Sequence, residues 1–271
     1  MPENIPVFII NLKKDIERRE HMEELCNQYN LQYQFTDAIY GKNLDKDTIS
    51  KIYNKEESIR KFGRELTKGE LACALSHINI YKHIVENDIP KAFIFEDDIQ
   101  IEKDFPTLVQ SINKFPNDWE LVLFGYHRGS SRKDKEAKSY PRCKKNITTK
   151  HKLVRLAEIA PGAYGYLINL RGAKKLIDEL PTIKMPIDHY TGDDQYINLY
   201  GISPRVIRVN KILDNGSNLT TERDRVAKEY NHAFCEKKES IYNKFKKELS
   251  RPFRQMLRYV KRVFAPIRKY E

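Results

Sequence analysis

Three consecutive carboxylates, Glu96, Asp97 and Asp98, directly follow an apolar run that ends at Phe95. Side chains alternate along an extended segment, so Glu96 and Asp98 are expected to face one way and Asp97 the other. Neighbouring carboxylates repel one another unless a cation lies among them. Mn²⁺ and Mg²⁺ take oxygen ligands of this kind. The spacing predicts that Glu96 and Asp98 bind a divalent cation, and the alternative is a solvated acidic turn.

Apolar runs typical of buried strands alternate with segments of helical periodicity. The predicted elements are residues 7–12, 13–30, 31–44 (a strand and a turn), 67–88, 92–95, 119–125, 162–169, 170–180 and 203–209. The alternation predicts an α/β fold with a central, mostly parallel sheet flanked by helices. Ligands bind at the carboxyl ends of strands in such sheets, where the acidic group is placed. The polar, lysine-rich residues 128–152 are expected to form a loop or flap.

The net charge of +11 is concentrated at the C-terminal end. Residues 240–271 carry ten Lys and Arg residues against Glu248 and Glu271. After Pro252, apolar residues recur every three or four positions with basic residues between them. This pattern predicts a basic amphipathic helix that binds an anionic membrane surface. The alternative is a helix that packs on the catalytic domain or pairs with another subunit in a homodimer.

Composition excludes several classes of protein. No run approaches the roughly 20 apolar residues that a membrane span needs, and the N-terminus has no basic region or cleavage site typical of a signal peptide. The four cysteines are irregularly spaced, which favours thiols in a reducing cytoplasm. Outside the tail the charges nearly cancel, and no nucleic-acid-binding motif occurs, so nucleic acid is not expected as a partner. The predicted domains are a catalytic domain over residues 1–239 and a helical tail over residues 240–271.

Six motifs, in order, resemble those of glycosyltransferase family 25, which holds bacterial lipooligosaccharide galactosyltransferases and is related to collagen galactosyltransferases. "FIINLKKDIERR" resembles its INL…RR opening, "TDAIYGKNL" its Asp-Ala-x-x-Gly turn, and "LTKGELACALSHINIYKHI" its Gly-Glu-x-x-Cys-x-x-Ser-His helix. "AFIFEDDI" resembles its acid-x-acid strand end, "PGAYGYLINLRGAKKLI" its Gly-x-x-Gly-Tyr segment, and "MPIDHY" its Pro-x-Asp step. The resemblance implies a GT-A-like fold, a UDP-sugar donor and inversion at the anomeric carbon.

The resemblance also implies which residues contact the donor. They are Asn11, Leu12, Arg18, Asp37, Ala38, Gly41, His77, Asp97 and Tyr164. The turn at Asn11 and Leu12 would line the uridine pocket, and Arg18 or Arg19 would reach the donor phosphate or hold the Asp37 turn. A surface ion pair is the alternative for either arginine. His77 would donate to the sugar or to a carboxylate, with a satisfied core histidine as the alternative.

Inversion in a single displacement needs a base that takes the proton of the acceptor hydroxyl. The base must lie opposite the leaving UDP, so it should come from another segment than residues 96–98. Asp188 follows Pro186 and matches the Pro-x-Asp step, so it is the predicted base. Asp194 is the second candidate, although Asp193 and Asp194 are expected at the start of a helix, where carboxylates also act as caps.

The predicted function is an inverting, metal-dependent glycosyltransferase, with Mn²⁺ or Mg²⁺ as cofactor. It would move a sugar onto a lipid-linked lipooligosaccharide or lipopolysaccharide acceptor. The predicted sugar is galactose, with UDP-galactose as the donor. The expected location is cytoplasmic and peripheral, on the cytoplasmic face of the bacterial inner membrane. One alternative is a metal-dependent nucleotidyltransferase or phosphohydrolase, although no Gly-rich phosphate loop occurs. Another is a non-catalytic binder of an anionic surface or nucleic acid.

Overall fold

The computed structural model of the chain describes residues 5–128, 135–210, 212–213, 226 and 256. The chain divides into two compact units, residues 1–221 and 222–271. In the second unit, Val226 and Met256 are both helical. The predicted membrane-binding helix over residues 240–271 otherwise lies outside the described residues and stays a prediction.

The first unit is built on an eight-stranded sheet. In chain order its strands are β1 (Val7–Asn11), β2 (Tyr33–Asp37), β3 (Lys91–Glu96), β5 (Leu121–Leu123), β6 (Ser139–Asn146), β7 (Lys152–Leu156), β8 (Gly165–Asn169) and β9 (Leu199–Ser203). Their spatial order is β2-β1-β3-β8-β5-β9-β7-β6. A separate pair consists of β4 (Ile99–Ile101) and β10 (Ile207–Val209), which run antiparallel.

The sheet is parallel where the acidic group lies and mixed farther along. β1 pairs in parallel with β2 and with β3, and β5 pairs in parallel with β9. β8 runs antiparallel between β3 and β5, and β6 and β7 continue antiparallel beyond β9. Asn11 is opposite Asp37, and Ile10 is opposite Glu96. The carboxyl ends of three neighbouring parallel strands therefore meet at one edge.

Helices cover both faces of the sheet. In chain order they are α1 (Ile16–Gln28), α2 (Lys46–Ile52), α3 (Lys55–Phe62), α4 (Lys68–Glu86), α5 (Phe105–Val109), α6 (Leu170–Glu179) and α7 (Ile187–Thr191). One core joins the buried faces of α4 and α6 to the sheet, and the other joins those of α1 and α5. α4 begins at a capping box, in which Thr67 and Glu70 each accept from the other's backbone N–H, at 3.1 and 2.9 Å. The α/β expectation is confirmed.

Two local expectations were wrong. Within the predicted flap over residues 128–152, Ser139–Asn146 form β6, which pairs with β7. The polar composition led to the loop prediction, because β6 is an exposed edge strand with little of the apolar periodicity that indicates a strand. Asp193 and Asp194 do not begin a helix, because α7 ends before them at Thr191 and the chain then turns into β9.

Among the described residues, no helix is both long enough and apolar enough to cross a membrane.

Candidate active site

The acidic end of β3 divides between two side-chain clusters on opposite faces of the sheet. β3 ends at Glu96, and Asp97 and Asp98 form a turn before β4. Strict alternation of side chains therefore stops at Glu96. As a result Asp97 and Asp98 share one set of contacts and Glu96 has another. The predicted grouping of Glu96 with Asp98 is not what the structure shows.

The first cluster, here called the arginine cluster, consists of Asn11, Arg18, Asp97 and Asp98. Arg18 Nη1 on α1 donates to Asp97 Oδ1 at 2.8 Å and to Asp98 Oδ2 at 3.2 Å. Asn11 Nδ2, at the end of β1, donates to Asp97 Oδ2 at 2.8 Å. The Arg18 side chain is 23% exposed, and those of Asp97 and Asp98 are 10% and 12% exposed. The cluster is therefore mostly buried and partly open to solvent, and its single guanidinium bridges two carboxylates.

Arg18 keeps its positive charge. Burial lowers the pKa of Arg18, but the hydrogen bond to Asp97 and the charges of Asp97 and Asp98 raise that pKa above its ordinary value. Asn11 Oδ1 is buried and has no hydrogen-bond partner among the described residues. The oxygen atoms of Asp97, Asp98 and Asn11 form a donor set that fits a hard divalent cation.

The second cluster, here called the histidine cluster, consists of Cys73, His77 and Glu96. Cys73 and His77 are four residues apart on α4 and so lie on one face of that helix. His77 Nε2 is 3.8 Å from Glu96 Oε1, and Cys73 Sγ is 4.0 Å from the same oxygen. The His77 side chain is fully buried, whereas that of Glu96 is 32% exposed. The cluster therefore runs from the protein interior to the surface at the end of β3.

The buried hydroxyl of Tyr166, which is itself hydrogen-bonded to Tyr81, holds the other ring nitrogen of His77. His77 Nδ1 and the Tyr166 hydroxyl are 2.8 Å apart, and the hydroxyls of Tyr166 and Tyr81 are 2.7 Å apart. The His77 and Tyr166 rings stack with centroids 5.8 Å apart and an interplanar angle of 19°. Burial raises the pKa of Tyr81 and of Tyr166, so both hydroxyls stay protonated. These contacts fix the orientation of the imidazole.

His77 is neutral in this environment. Burial lowers its pKa from 6.5 to about 4, and the negative charge of Asp188 opposes that shift. Asp188 lies in the first turn of α7, two residues after Pro186. Its charge therefore acts on a histidine from a distant segment of the chain. Asp194 lies in the turn after α7.

Other predicted donor residues have contacts that the sequence did not indicate. Asp37 forms an exposed ion pair with Lys13 at 2.8 Å, not with Arg18 or Arg19. Arg19 pairs with Glu23 at 3.4 Å and stacks on the Phe35 ring at 3.9 Å. The structure thus distinguishes two adjacent arginines, since Arg18 points into the acidic turn and Arg19 onto the outer surface of α1 and β2.

Gly41 and Ala38 lie close to α4. A Cβ at Gly41 would be 2.8 Å from the Lys68 carbonyl oxygen and 2.9 Å from the Gly69 nitrogen. Glycine is therefore required there by the backbone of α4, a reason different from the predicted approach to a ligand. The Ala38 N–H donates to the Asn11 carbonyl at 2.9 Å, which ties the turn to β1. Leu12 follows β1 directly and accepts from the Asp15 N–H at 2.8 Å.

Tyr164 and Tyr166 enter different cores. Tyr164 is buried with the core of α1 and α5, and its ring occupies the space that a Cβ at Gly125 would need. Tyr166 belongs to the α4 core, where it contacts His77. Sequence reasoning gave no role to Cys73 or Tyr81 in this site, and it did not predict that Tyr166 contacts His77. The spacing of four between Cys73 and His77 was a usable signal, whereas the tyrosine contacts depend on β8 lying beside β3.

The fold and this site define an α/β protein with polar side chains gathered at the carboxyl ends of its strands. Residues 4–191 match the model of glycosyltransferase family 25 (LPS biosynthesis protein), which is more than half of the chain. The chain belongs to glycosyltransferase family 25.

Curated relatives agree with this assignment. Procollagen galactosyltransferase 1-A of Xenopus laevis is 34% identical over 205 residues, covering 70% of this chain and 32% of the relative. A glycosyltransferase 25 family member of Aedes aegypti is 28% identical over 263 residues, covering 80% of this chain and 41% of the relative. The chain therefore spans about a third of the first relative and less than half of the second.

Likenesses to solved structures are weak. A glycosyltransferase involved in the glycosylation of the major capsid of PBCV-1 is 11% identical, with a TM-score of 0.31 over 64% of this chain and 65% of that one. Mouse xyloside xylosyltransferase 1 is 10% identical, with a TM-score of 0.34 over 70% of this chain and 68% of that one. At these TM-scores neither likeness bears on activity.

Proposed function

We propose that this protein is an inverting glycosyltransferase that moves galactose from UDP-galactose to a hydroxyl of its acceptor. The observation that carries the proposal is the arginine cluster, which lies at the carboxyl ends of parallel strands in a chain of family 25. Ligands of open α/β sheets bind at such an edge. The names of the galactosyltransferase relatives support galactose as the donor sugar.

Donor binding is assigned to the arginine cluster and the turn after β1. Arg18 carries a positive charge at the mouth of the cluster and suits a diphosphate, with which a guanidinium forms charge-assisted hydrogen bonds. Asp97 and Asn11 offer hydrogen-bonding groups for a ribose or sugar hydroxyl. A divalent cation, Mn²⁺ or Mg²⁺, held by the carboxylates of Asp97 and Asp98, would supply neutralisation of the charge that develops on the leaving diphosphate.

Proton removal from the acceptor hydroxyl is assigned to Asp188. Its carboxylate comes from α7, a different segment from the donor-binding turn, as a displacement with inversion requires. The negative charge of Asp188 acts on His77, which supports a position of this carboxylate near the strand ends. Pro186 fixes the chain just before it, so the carboxylate starts from a defined backbone position. Asp194 remains the second candidate.

A donor screen tests the activity. The full chain is incubated with each UDP-sugar, with and without divalent cation, and UDP release is measured. We expect release from UDP-galactose to exceed release from UDP-glucose and the N-acetylated sugars, and to stop with excess EDTA. An Asp98→Asn variant should be inactive while its circular dichroism is unchanged. Full activity in EDTA contradicts the cation, and release from no UDP-sugar contradicts the transferase.

The alternative functions predict different products and ligands in assays of this kind. A nucleotidyltransferase or phosphohydrolase would release pyrophosphate or phosphate from nucleotides without needing a sugar. A nucleic-acid binder would bind DNA or RNA with an affinity that falls steeply with salt concentration and would ignore UDP with Mn²⁺.

We propose a lipid-linked oligosaccharide as the acceptor and the cytoplasmic face of a bacterial inner membrane as the location. The family description names LPS biosynthesis, and residues 251–268 combine basic and apolar residues at helical spacing. Each basic residue near an anionic surface contributes about 1 kcal/mol of binding free energy. Co-sedimentation with anionic and neutral vesicles tests this, with Arg251, Arg254 and Arg258 changed to Glu. We expect pelleting with anionic vesicles to be lost in the variant, and equal pelleting of both proteins contradicts the anchor.

A further inference from the structure

The histidine cluster has the composition and spacing of a transition-metal site. One ligand atom from each of Cys73, His77 and Glu96 lies within 4.8 Å of the other two. In tetrahedral zinc sites the metal–ligand distances are about 2.0–2.3 Å, so ligand atoms lie about 3.3–3.8 Å apart. The separations of 3.8 and 4.0 Å from Glu96 Oε1 need only small side-chain adjustments to reach this range.

The imidazole of His77 is aimed into the cluster. Its side chain is fully buried, and Nε2 has no hydrogen-bond partner among the described residues. A buried polar atom without a partner is destabilising, so native proteins seldom keep one without a reason. Nδ1 is held by the Tyr166 hydroxyl at 2.8 Å. A proton on Nδ1 leaves the lone pair of Nε2 facing the Glu96 carboxylate. A cation between these two electron-rich groups would stabilise both.

We propose that Cys73, His77 and Glu96 bind a borderline-soft divalent cation of the Zn²⁺ class. Three protein ligands with a fourth position open is the arrangement of zinc sites that bind a water or substrate atom. The hydrogen bond between His77 Nδ1 and Tyr166 matches the outer-shell contact that orients metal-bound histidines.

The donor atoms distinguish this site from the cation assigned to the arginine cluster. The arginine cluster offers oxygen atoms, which suit Mg²⁺ and Mn²⁺. The histidine cluster offers a sulfur, a nitrogen and an oxygen, and thiolate and imidazole favour Zn²⁺ and Co²⁺. The two clusters lie on opposite faces of the sheet, with α1 and α4 respectively. The inference does not depend on the proposed sugar transfer.

Co²⁺ is the probe, because a cobalt–thiolate bond gives a near-ultraviolet charge-transfer band and tetrahedral Co²⁺ absorbs strongly in the visible. The full chain is treated with chelator, desalted under reducing conditions and titrated with Co²⁺. We expect both bands to saturate near one Co²⁺ per chain and to disappear on addition of Zn²⁺. Absence of the thiolate band in the wild-type chain overturns the proposal.

Variants assign the ligands. Cys73→Ser should lose the thiolate band, whereas Cys143→Ser, which changes an exposed cysteine elsewhere, should keep it. Tyr166→Phe should weaken Zn²⁺ binding by about 10–100-fold, as loss of an outer-shell partner does. Glu96→Gln keeps the side-chain shape, is partly exposed, and should weaken Zn²⁺ binding at least tenfold in a chain with wild-type circular dichroism. A thiolate band that persists in Cys73→Ser, or Zn²⁺ affinity unchanged in Glu96→Gln, overturns the assignment.

Discussion

The arginine cluster and the histidine cluster begin at the same strand end, but their buried polar groups have different partners. In the arginine cluster, one guanidinium bridges two carboxylates through contacts of 2.8 and 3.2 Å. In the histidine cluster the imidazole is neutral, and its Nε2 lies 3.8 Å from a carboxylate, beyond hydrogen-bond range. The arginine cluster contains a cationic side chain, whereas the histidine cluster presents ligand atoms that are suited to a metal cation.

The difference shows how a sheet can separate functions that are adjacent in sequence. Glu96 and Asp97 are neighbours in the chain, yet their side chains enter different faces, next to α4 and α1. In the proposed function, the donor-binding turn and Asp188 come together at the carboxyl edge that the two faces share.

The largest expected effect concerns Asp188. Asp188→Asn keeps the side-chain shape but removes the base, so kcat should fall about 10²–10⁴-fold. UDP binding should be nearly unchanged, because the proposed UDP contacts come from the arginine cluster and the turn after β1 and do not include Asp188. Steady-state kinetics and UDP titration calorimetry measure the two quantities. Asp194→Asn is the matched control, and if it loses activity while Asp188→Asn does not, the base is Asp194.

Arg18 and Arg19 test whether the arginine cluster is held by its guanidinium. Arg18→Gln leaves Asp97 and Asp98 close together without their cation, and should lower the free energy of unfolding by about 2–3 kcal/mol, less than a fully buried pair. Arg19→Gln removes only an exposed pair and a ring contact, and should cost less than about 1 kcal/mol. Urea denaturation measures both. Adding Asp97→Asn to Arg18→Gln should recover part of the loss, and no recovery contradicts the repulsion.

The neutral state of His77 predicts a pH dependence of stability. The His77 pKa is about 4 in the folded chain and near 6.5 when unfolded, so the unfolded state binds more protons between these values. The free energy of unfolding should therefore fall as the pH is lowered through this window, by about 2 kcal/mol from His77 between pH 7.5 and 5. Urea denaturation in the presence of chelator measures it. The loss should be smaller by that amount in His77→Gln, and an identical pH profile contradicts the neutral imidazole.

The smallest effect concerns the tyrosine hydroxyls. Tyr166→Phe removes the partner of both His77 Nδ1 and the Tyr81 hydroxyl, and should cost about 1–2 kcal/mol of stability. Tyr81→Phe leaves the His77 contact in place and should cost less. Thermal unfolding of the two variants gives the comparison. Equal losses would show that Tyr166 does not hold the imidazole.

Several helices and strands could be predicted from the sequence alone, because their signals come from nearby residues. The apolar run that became β3, the capping box at Thr67 and Glu70, and the periodic apolar face of α4 all depend on neighbours within a few residues. Membership of glycosyltransferase family 25, which the match over residues 4–191 shows, could also be predicted, because each family motif is a short run of residues. These features gave the α/β class and the region of the site.

The contacts between distant side chains, by contrast, follow from the tertiary fold. The turn after Glu96 ended the alternation and sent Asp97 and Asp98 to Arg18, a contact that spans 79 residues of chain. The antiparallel position of β8 next to β3 brought Tyr166 to His77 across 89 residues. Contacts of this kind follow from strand order and register, because one residue of offset moves a side chain to the other face of the sheet. No local spacing in the sequence encodes that choice.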